Sequence, residues 1–200
     1  WIHLVAAPLS LAASIVLTCL APTGATKGGS AIYLAASLIL FGISALYHRF
    51  YWSPRWEIVW NRLDHSNIFL LIAGTYTPLS IAILPHDQAV TILSIVWVGA
   101  LLGILLNLFW PTAPRWLATL IYVALGWVAL WYLPQFWSLG GAVIVWLLLA
   151  GGILYTIGAV VYATKKPDLS PRWFGFHEIF HLCTVLAWAC HCVAVYLAVL

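Results

Sequence analysis

Apolar runs alternate with short polar interruptions along the whole chain, and the runs are long enough to cross a bilayer. A helix rising 1.5 Å per residue needs roughly 20 apolar residues to span the hydrocarbon core. Setting the runs against their Pro, Gly and charged breakers predicts seven helices. The first covers about residues 1–21 and ends at Pro22 and the glycines from Gly24 to Gly29. The second runs from about Ser30 to Phe50, before a loop containing Trp52, Pro54 and Trp56. The third covers about 61–84, so that Asp64 and His65 open it. Pro78 is expected to kink that helix rather than end it, since neighbouring helices can satisfy freed carbonyls. Pro85 and His86 mark a tight turn, and the fourth helix spans about 89–110. Pro111 and Pro114 separate it from the fifth, about 115–133, which Pro134 stops. The sixth runs from about 138 to 163, and the Lys165 to Pro171 loop leads to the seventh, about 173–199. The first run exceeds a signal-peptide core and lacks a small-residue cleavage pattern, so it reads as a span. It starts without a methionine, and a short native segment is expected before it.

Composition agrees with this pattern. The 200 residues are 64% hydrophobic and 6% charged, against roughly 25% charged in a soluble domain. The fold class is all-α: a polytopic membrane protein forming one seven-helix domain over residues 1–200. A net charge of +3 does not point to nucleic acid, because the basic residues sit singly or in pairs in short loops. Arg49, Arg55, Arg62, Arg115, Lys165, Lys166 and Arg172 fall on one side and only Lys27 on the other. That asymmetry places the N-terminus in the cytoplasm and the C-terminus outside. Several of the 13 tryptophans (Trp52, Trp56, Trp60, Trp110, Trp116, Trp173) fall at predicted helix ends, as in an interfacial belt. Trp146, read as mid-helix, is expected to pack in the bundle. Cys19, Cys183, Cys190 and Cys192 show no C-x-x-C spacing and read as small apolar residues, with a bridge from Cys19 to Cys190 or Cys192 as the alternative. The absence of methionine argues against copper(I) transport through thioethers.

Candidate chemistry lies where the polar residues converge. His177 and His181 are four residues apart, so a helix points both imidazoles the same way. Ionisable groups in membrane helices mark functional sites by default. His48 ends helix 2, and the four helices between it and His177 return the chain to the same side. Ser44 lies one turn deeper on the face of His48, and Asp64 opens helix 3 at that level. An odd number of crossings would set these histidines roughly 30 Å apart. Three histidines and a water make the coordination set of a catalytic zinc site, which acidifies the water and polarises a carbonyl. Asp64 could take the proton, and Ser44 could bind the oxygen. His3 and His65 compete with His48 as third ligand.

The segments SALYHRF, RLDHSNIFLLIAGTYTP and HEIFHL resemble the three signature motifs of the hemolysin III-like proteins of the progestin and adipoQ receptor (PAQR) family, in the family's order. The resemblance spans all seven helices. It implies a seven-helix bundle with a cytoplasmic N-terminus and zinc held by His48, His177 and His181. It further implies Asp64 against the zinc-bound water with Ser44 beside it, and a setting in the bacterial plasma (inner) membrane. The wider superfamily is similar to the alkaline ceramidases, which suggests hydrolysis of a lipid amide. Bacterial members carry a name tied to membrane lysis and a link to membrane lipid homeostasis.

Together these lead to a zinc-dependent hydrolase of a lipid amide or ester near the cytoplasmic leaflet, its apolar interior taking an acyl chain and membrane lipids its partners. A receptor or sensor with a structural zinc clamp is the alternative, a membrane lysin a third, and a bis-histidine haem protein a fourth. HEIFH also matches the H-E-x-x-H pattern in which the glutamate is a general base. Against that, Glu178 lies about 100° around the helix from His177 and suits a helix N-terminus. His191 lies about 15 Å beyond His181 and is expected to make a core hydrogen bond, as is His65 to a neighbouring helix. Asn67 and Asn107 are expected to bond between helices. Thr75, Tyr76 and Thr77 are expected to extend a polar path from Asp64.

Overall fold

A computed structural model describes residues 1–110, 112–170 and 173–200, and of Arg115 the backbone alone. Seven helices long and apolar enough to cross a membrane make up most of it. The described residues hold no strand beyond an isolated bridge between Ser170 and Phe174. The helices are α1 (Ile2–Leu20), α2 (Gly24–Arg49), α3 (Pro54–Ile83), α4 (His86–Phe109), α5 (beginning as Arg115–Gly126), α6 (Ala142–Thr164) and α7 (Phe176–Val199). The loop positions Pro111, Pro171 and Arg172 lie outside the described residues.

Several helix ends differ from the apolar pattern, and capping chemistry explains them. α2 starts at Gly24, not near Ser30. The Thr26 amide donates to the Thr23 hydroxyl at 3.2 Å, and the Thr23 amide donates to the Thr26 hydroxyl at 3.1 Å. This reciprocal cap satisfies two helix-end donors and offsets the poor helix propensity of the glycines. α3 starts at Pro54, with a proline and Glu57 in its first turn, both favoured there. Asp64 therefore sits well inside α3 rather than opening it. α3 also continues through Pro78.

Pro134 does not end the fifth span. After Gly126 the chain tightens into a 3-10 helix, Trp127–Tyr132, then a single α turn, Leu133–Gln135, then a π turn, Phe136–Gly140. The break comes at Gly141, whose φ of 88° favours glycine. Tyr76 of α3 reaches across to this irregular stretch. Its hydroxyl donates to the Gly126 carbonyl at 2.7 Å and accepts from the Ala129 amide at 2.7 Å. Backbone groups released by the change of helix type thus find a partner where water is scarce.

Successive helices pack side by side, α7 returns against α1, and α3 runs inside the ring, also touching α5 and α7. Close approach depends on missing side chains. A Cβ added at Gly74 of α3 would lie 2.5 Å from the Ala36 Cβ of α2, and one at Gly103 of α4 would enter the Phe69 ring.

Other expectations need correction. Trp146 is 63% exposed and meets Trp137 edge-on, so it stands on the outer surface rather than inside the bundle. The Asn67 side-chain nitrogen is buried without a hydrogen-bond partner, so that amide donates to no neighbouring helix. Thr75 and Thr77 donate to the carbonyls of Leu71 and Ala73 one turn back, and Tyr76 is held by α5. No polar path rises through them from Asp64. All four cysteines are free, as their spacing suggested, so no bridge joins Cys19 to Cys190 or Cys192.

Candidate metal centre

The last turn of α2 and the first turns of α7 meet at one end of the bundle. Two carboxylates hold the start of α7. Glu178 Oε2 accepts from the Gly175 amide at 2.9 Å, and Asp168 Oδ1 accepts from the Phe176 amide at 3.1 Å. Both satisfy donors that a helix N-terminus leaves unpaired, and both charges suit its dipole. His177 and His181 follow on one face. Ser44 and His48, one turn apart on α2, approach from the other side.

His181 Nε2 lies 2.7 Å from His177 Nε2, which lies 3.3 Å from His48 Nε2. The three residues offer ligand atoms within 4.8 Å of one another and could hold a metal ion. The donor set fits a tetrahedral cation. Metal–nitrogen bonds of about 2.0–2.1 Å place ligand nitrogens about 3.3 Å apart. His48 and His177 already stand at that separation, and the His177–His181 pair must open by only about 0.6 Å. His177 and His181 lie side by side, whereas haem takes axial ligands from opposite faces, so the arrangement does not suit haem.

Asp64 joins the cluster from α3. Its Oδ2 stands 3.9 Å from His48 Nε2 and 3.8 Å from His65 Nδ1, beyond direct hydrogen-bond reach of either. The Ser44 hydroxyl neighbours this carboxyl, yet it is buried without a well-formed hydrogen bond. All five sequence-predicted residues, Ser44, His48, Asp64, His177 and His181, are therefore gathered at one place.

The competing histidines have other partners. His65 Nδ1 lies 2.8 Å from the Asn61 carbonyl and Nε2 lies 2.7 Å from the Tyr162 hydroxyl, joining α3 to α6. His191 Nε2 lies 3.2 Å from the Leu148 carbonyl, as a core hydrogen bond requires. His3 is buried and stands outside the three-histidine group, with both ring nitrogens 2.9 Å from His181 Nδ1. It lies behind one of the three instead of joining them, which corrects its place as a rival third ligand. Tyr162 was not foreseen. Its depth at the end of α6 was readable, but no spacing linked it to His65.

Two cavities flank the cluster. A cleft of about 440 Å³ contains the three histidines, Ser44, His3 and Arg49. The Arg49 guanidinium stands 5.1 Å above the Trp1 ring. A chamber of about 110 Å³ lies inside the bundle, walled by Ile72, Tyr76, Trp127, Phe180 and Thr184 among others. The Phe180 ring, which lines the chamber, lies 5.6 Å from the His181 ring and 6.5 Å from the His177 ring between centroids, so the apolar chamber begins beside the polar cleft.

The fold and this end of the bundle define an integral membrane protein with a three-histidine site able to hold a metal ion. Its sequence matches the family model described as Haemolysin-III related over residues 1–192, and the chain belongs to that family. It is 35% identical to Hemolysin-3 of Bacillus cereus over 188 residues, covering 90% of this chain and 80% of that protein. It is 37% identical over 147 residues to a Hemolysin-3 homolog of Bacillus subtilis (strain 168), covering 72% and 68%. A more distant match is the adiponectin receptor protein of Drosophila melanogaster, 27% identical over 176 residues, or 78% of this chain and 39% of that one.

Proposed function

We propose that this protein is a zinc-dependent hydrolase of a lipid amide or ester, with its N-terminus and its site on the cytoplasmic side of a bacterial plasma membrane. The observation that carries this reading is the convergence of three imidazoles with a carboxylate and a buried, unpaired hydroxyl. A divalent cation held by His48, His177 and His181 would polarise a carbonyl and acidify a water. Asp64, 3.9 Å from His48 Nε2, takes the nucleophile's proton and returns it to the leaving group. The Ser44 hydroxyl, which lines the cleft, donates to the substrate carbonyl oxygen as negative charge builds there. The chamber behind Phe180 and Thr184 receives the acyl chain, and Arg49 at the cleft faces the headgroup side. Turnover of membrane lipids would connect the protein to membrane lipid homeostasis.

The test is fatty-acid release by purified protein in lipid vesicles carrying amide and ester substrates, after metal analysis. Wild type should bind one zinc and release acid. Asp64→Asn should keep the zinc and lose roughly 10²–10⁴-fold in rate. Stoichiometric zinc with no turnover of either lipid class would refute the hydrolase. One observation favours a second reading, a receptor whose metal clamps helices: the ligands His48 and His177 are 129 positions apart on α2 and α7. The distant Drosophila relative named as a receptor agrees with it.

A further inference from the structure

We propose that the inner chamber selects acyl chains bearing a mid-chain hydroxyl, with His191 and Tyr155 as the residues that recognise it. The proposal rests on the reading of that chamber as the acyl-chain site. Two features of α6 lock His191 in place. Gly151 leaves a notch for its ring, since a Cβ there would collide with the imidazole Cδ2 and Nε2. Beside that notch Nε2–H donates to the Leu148 carbonyl at 3.2 Å. A carbonyl only accepts, so this proton belongs to Nε2. A charged imidazole is costly inside a bilayer, and in the neutral ring Nδ1 is then the acceptor. Nδ1 and Cδ2 flank Cγ on opposite edges of the ring, so Nδ1 is turned away from Gly151. It has no hydrogen-bond partner among the described residues.

Tyr155 follows Gly151 by one turn of α6, and its ring centroid stands 5.5 Å from that of His191. Both residues line the chamber. The Tyr155 hydroxyl likewise has no hydrogen-bond partner among the described residues. The pair thus offers an acceptor and a donor within walls that are otherwise apolar. Thr75, Thr156 and Thr184 also line the chamber, but each donates its proton to a carbonyl one turn back and has none to give. Leaving a buried acceptor unpaired is costly. A secondary alcohol removes that cost, donating to His191 Nδ1 and accepting from Tyr155. A reacting amide N–H is also a donor, but it belongs at the cation. Depth sets the position of the alcohol. Phe180, Thr184 and His191 share the chamber face of α7, and the Phe180 ring marks the end beside the histidine cluster. From His181 to His191 the helix rises about 15 Å. An extended chain advances about 1.2 Å per bond, so a hydroxyl at about carbon 12 reaches His191.

The experiment reads binding rather than turnover. Stearic, 12-hydroxystearic and 2-hydroxystearic acids compete with a fluorescent fatty acid for the full chain in detergent, each corrected for its partition into empty micelles. Wild type should bind the 12-hydroxy acid about 10–100-fold more tightly than stearic acid, and the 2-hydroxy isomer should show no such gain. An added hydroxyl disfavours transfer into an apolar site, so hydrophobicity alone predicts the opposite order. His191→Leu should abolish the difference between stearic and 12-hydroxystearic acids, and Tyr155→Phe should reduce it. Equal affinity of wild type for those two acids, or an undiminished preference in His191→Leu, overturns the proposal. An equal gain for the 2-hydroxy isomer puts recognition elsewhere and overturns it too. The comparison of isomers uses wild type alone and stands even where a variant fails to fold. Wild type that binds none of the three acids overturns the acyl-chain reading of the chamber itself, a failure distinct from the others.

Discussion

Chelation should lower the thermal stability of the wild-type protein without unfolding it, and His48→Ala should erase that difference. The three ligands come from two helices, His48 from α2 and the pair His177 and His181 from α7. A bound cation therefore ties those helix ends together. At a free metal concentration of about 100 times Kd, a ligand that binds only the folded state stabilises it by about 2.7 kcal/mol. In a chain of this size each kcal/mol moves Tm by about 2–4 °C, so chelation should lower Tm by about 5–11 °C. The metal-free fold should survive, because His177 and His181 can hydrogen-bond at 2.7 Å. The fully buried Tyr33, Phe41, Phe69 and Phe136 also pack regardless of metal. In His48→Ala two ligands remain on one helix and the tie to α2 is gone. Intrinsic fluorescence of the 13 tryptophans reports the melt, with metal content measured before and after chelation. Equal melting of loaded and stripped wild type, or a full chelator effect in His48→Ala, would refute the clamp geometry.

Glu178→Gln should leave lipid turnover within a few-fold of wild type, since its side-chain oxygen can still accept from the Gly175 amide, whereas loss of a general base would cost about 10²–10⁴-fold; acid release measures it. Glu178→Ala should instead destabilise α7 by about 1 kcal/mol, seen as a small drop in Tm. Tyr76→Phe removes the acceptor of the Ala129 amide and the donor to the Gly126 carbonyl, and should cost about 1–3 kcal/mol in thermal or denaturant melts. Gly103→Ala drives a methyl into the Phe69 ring and should cost about 1–3 kcal/mol. A Phe69→Leu background should recover part of that loss, and additive rather than compensating effects would exclude the contact.

How much of this was legible in the sequence depends on which force sets each feature. The spans follow from apolar length, which is a property of the residues themselves, and all seven appear. The gathering of His48, Asp64, His177 and His181 follows from crossing parity, a counting argument that survives errors of several residues at helix ends. Those ends were read less well because single side chains decide them. The Thr23–Thr26 pair starts α2 within a glycine-rich stretch, and Tyr76 carries α5 past Pro134 by serving backbone groups 50 and 53 positions away. Neither effect leaves a trace in a hydropathy window.

His3 marks the boundary between these two kinds of information. Parity placed it at the depth of the centre, where it looked like one more candidate ligand. Which His181 nitrogen it meets depends on how α1 rolls against α2 and α7, and thus on Phe41 and the small buried residues Ala6, Ser10 and Ala45. Depth is additive along a chain, whereas ring orientation is a joint property of three packed helices. A histidine at the right depth can therefore join the three-histidine group or pack against it. The difference between the two is whether its nitrogen lies among the other ligand atoms, as in His48, or behind one of them, as in His3.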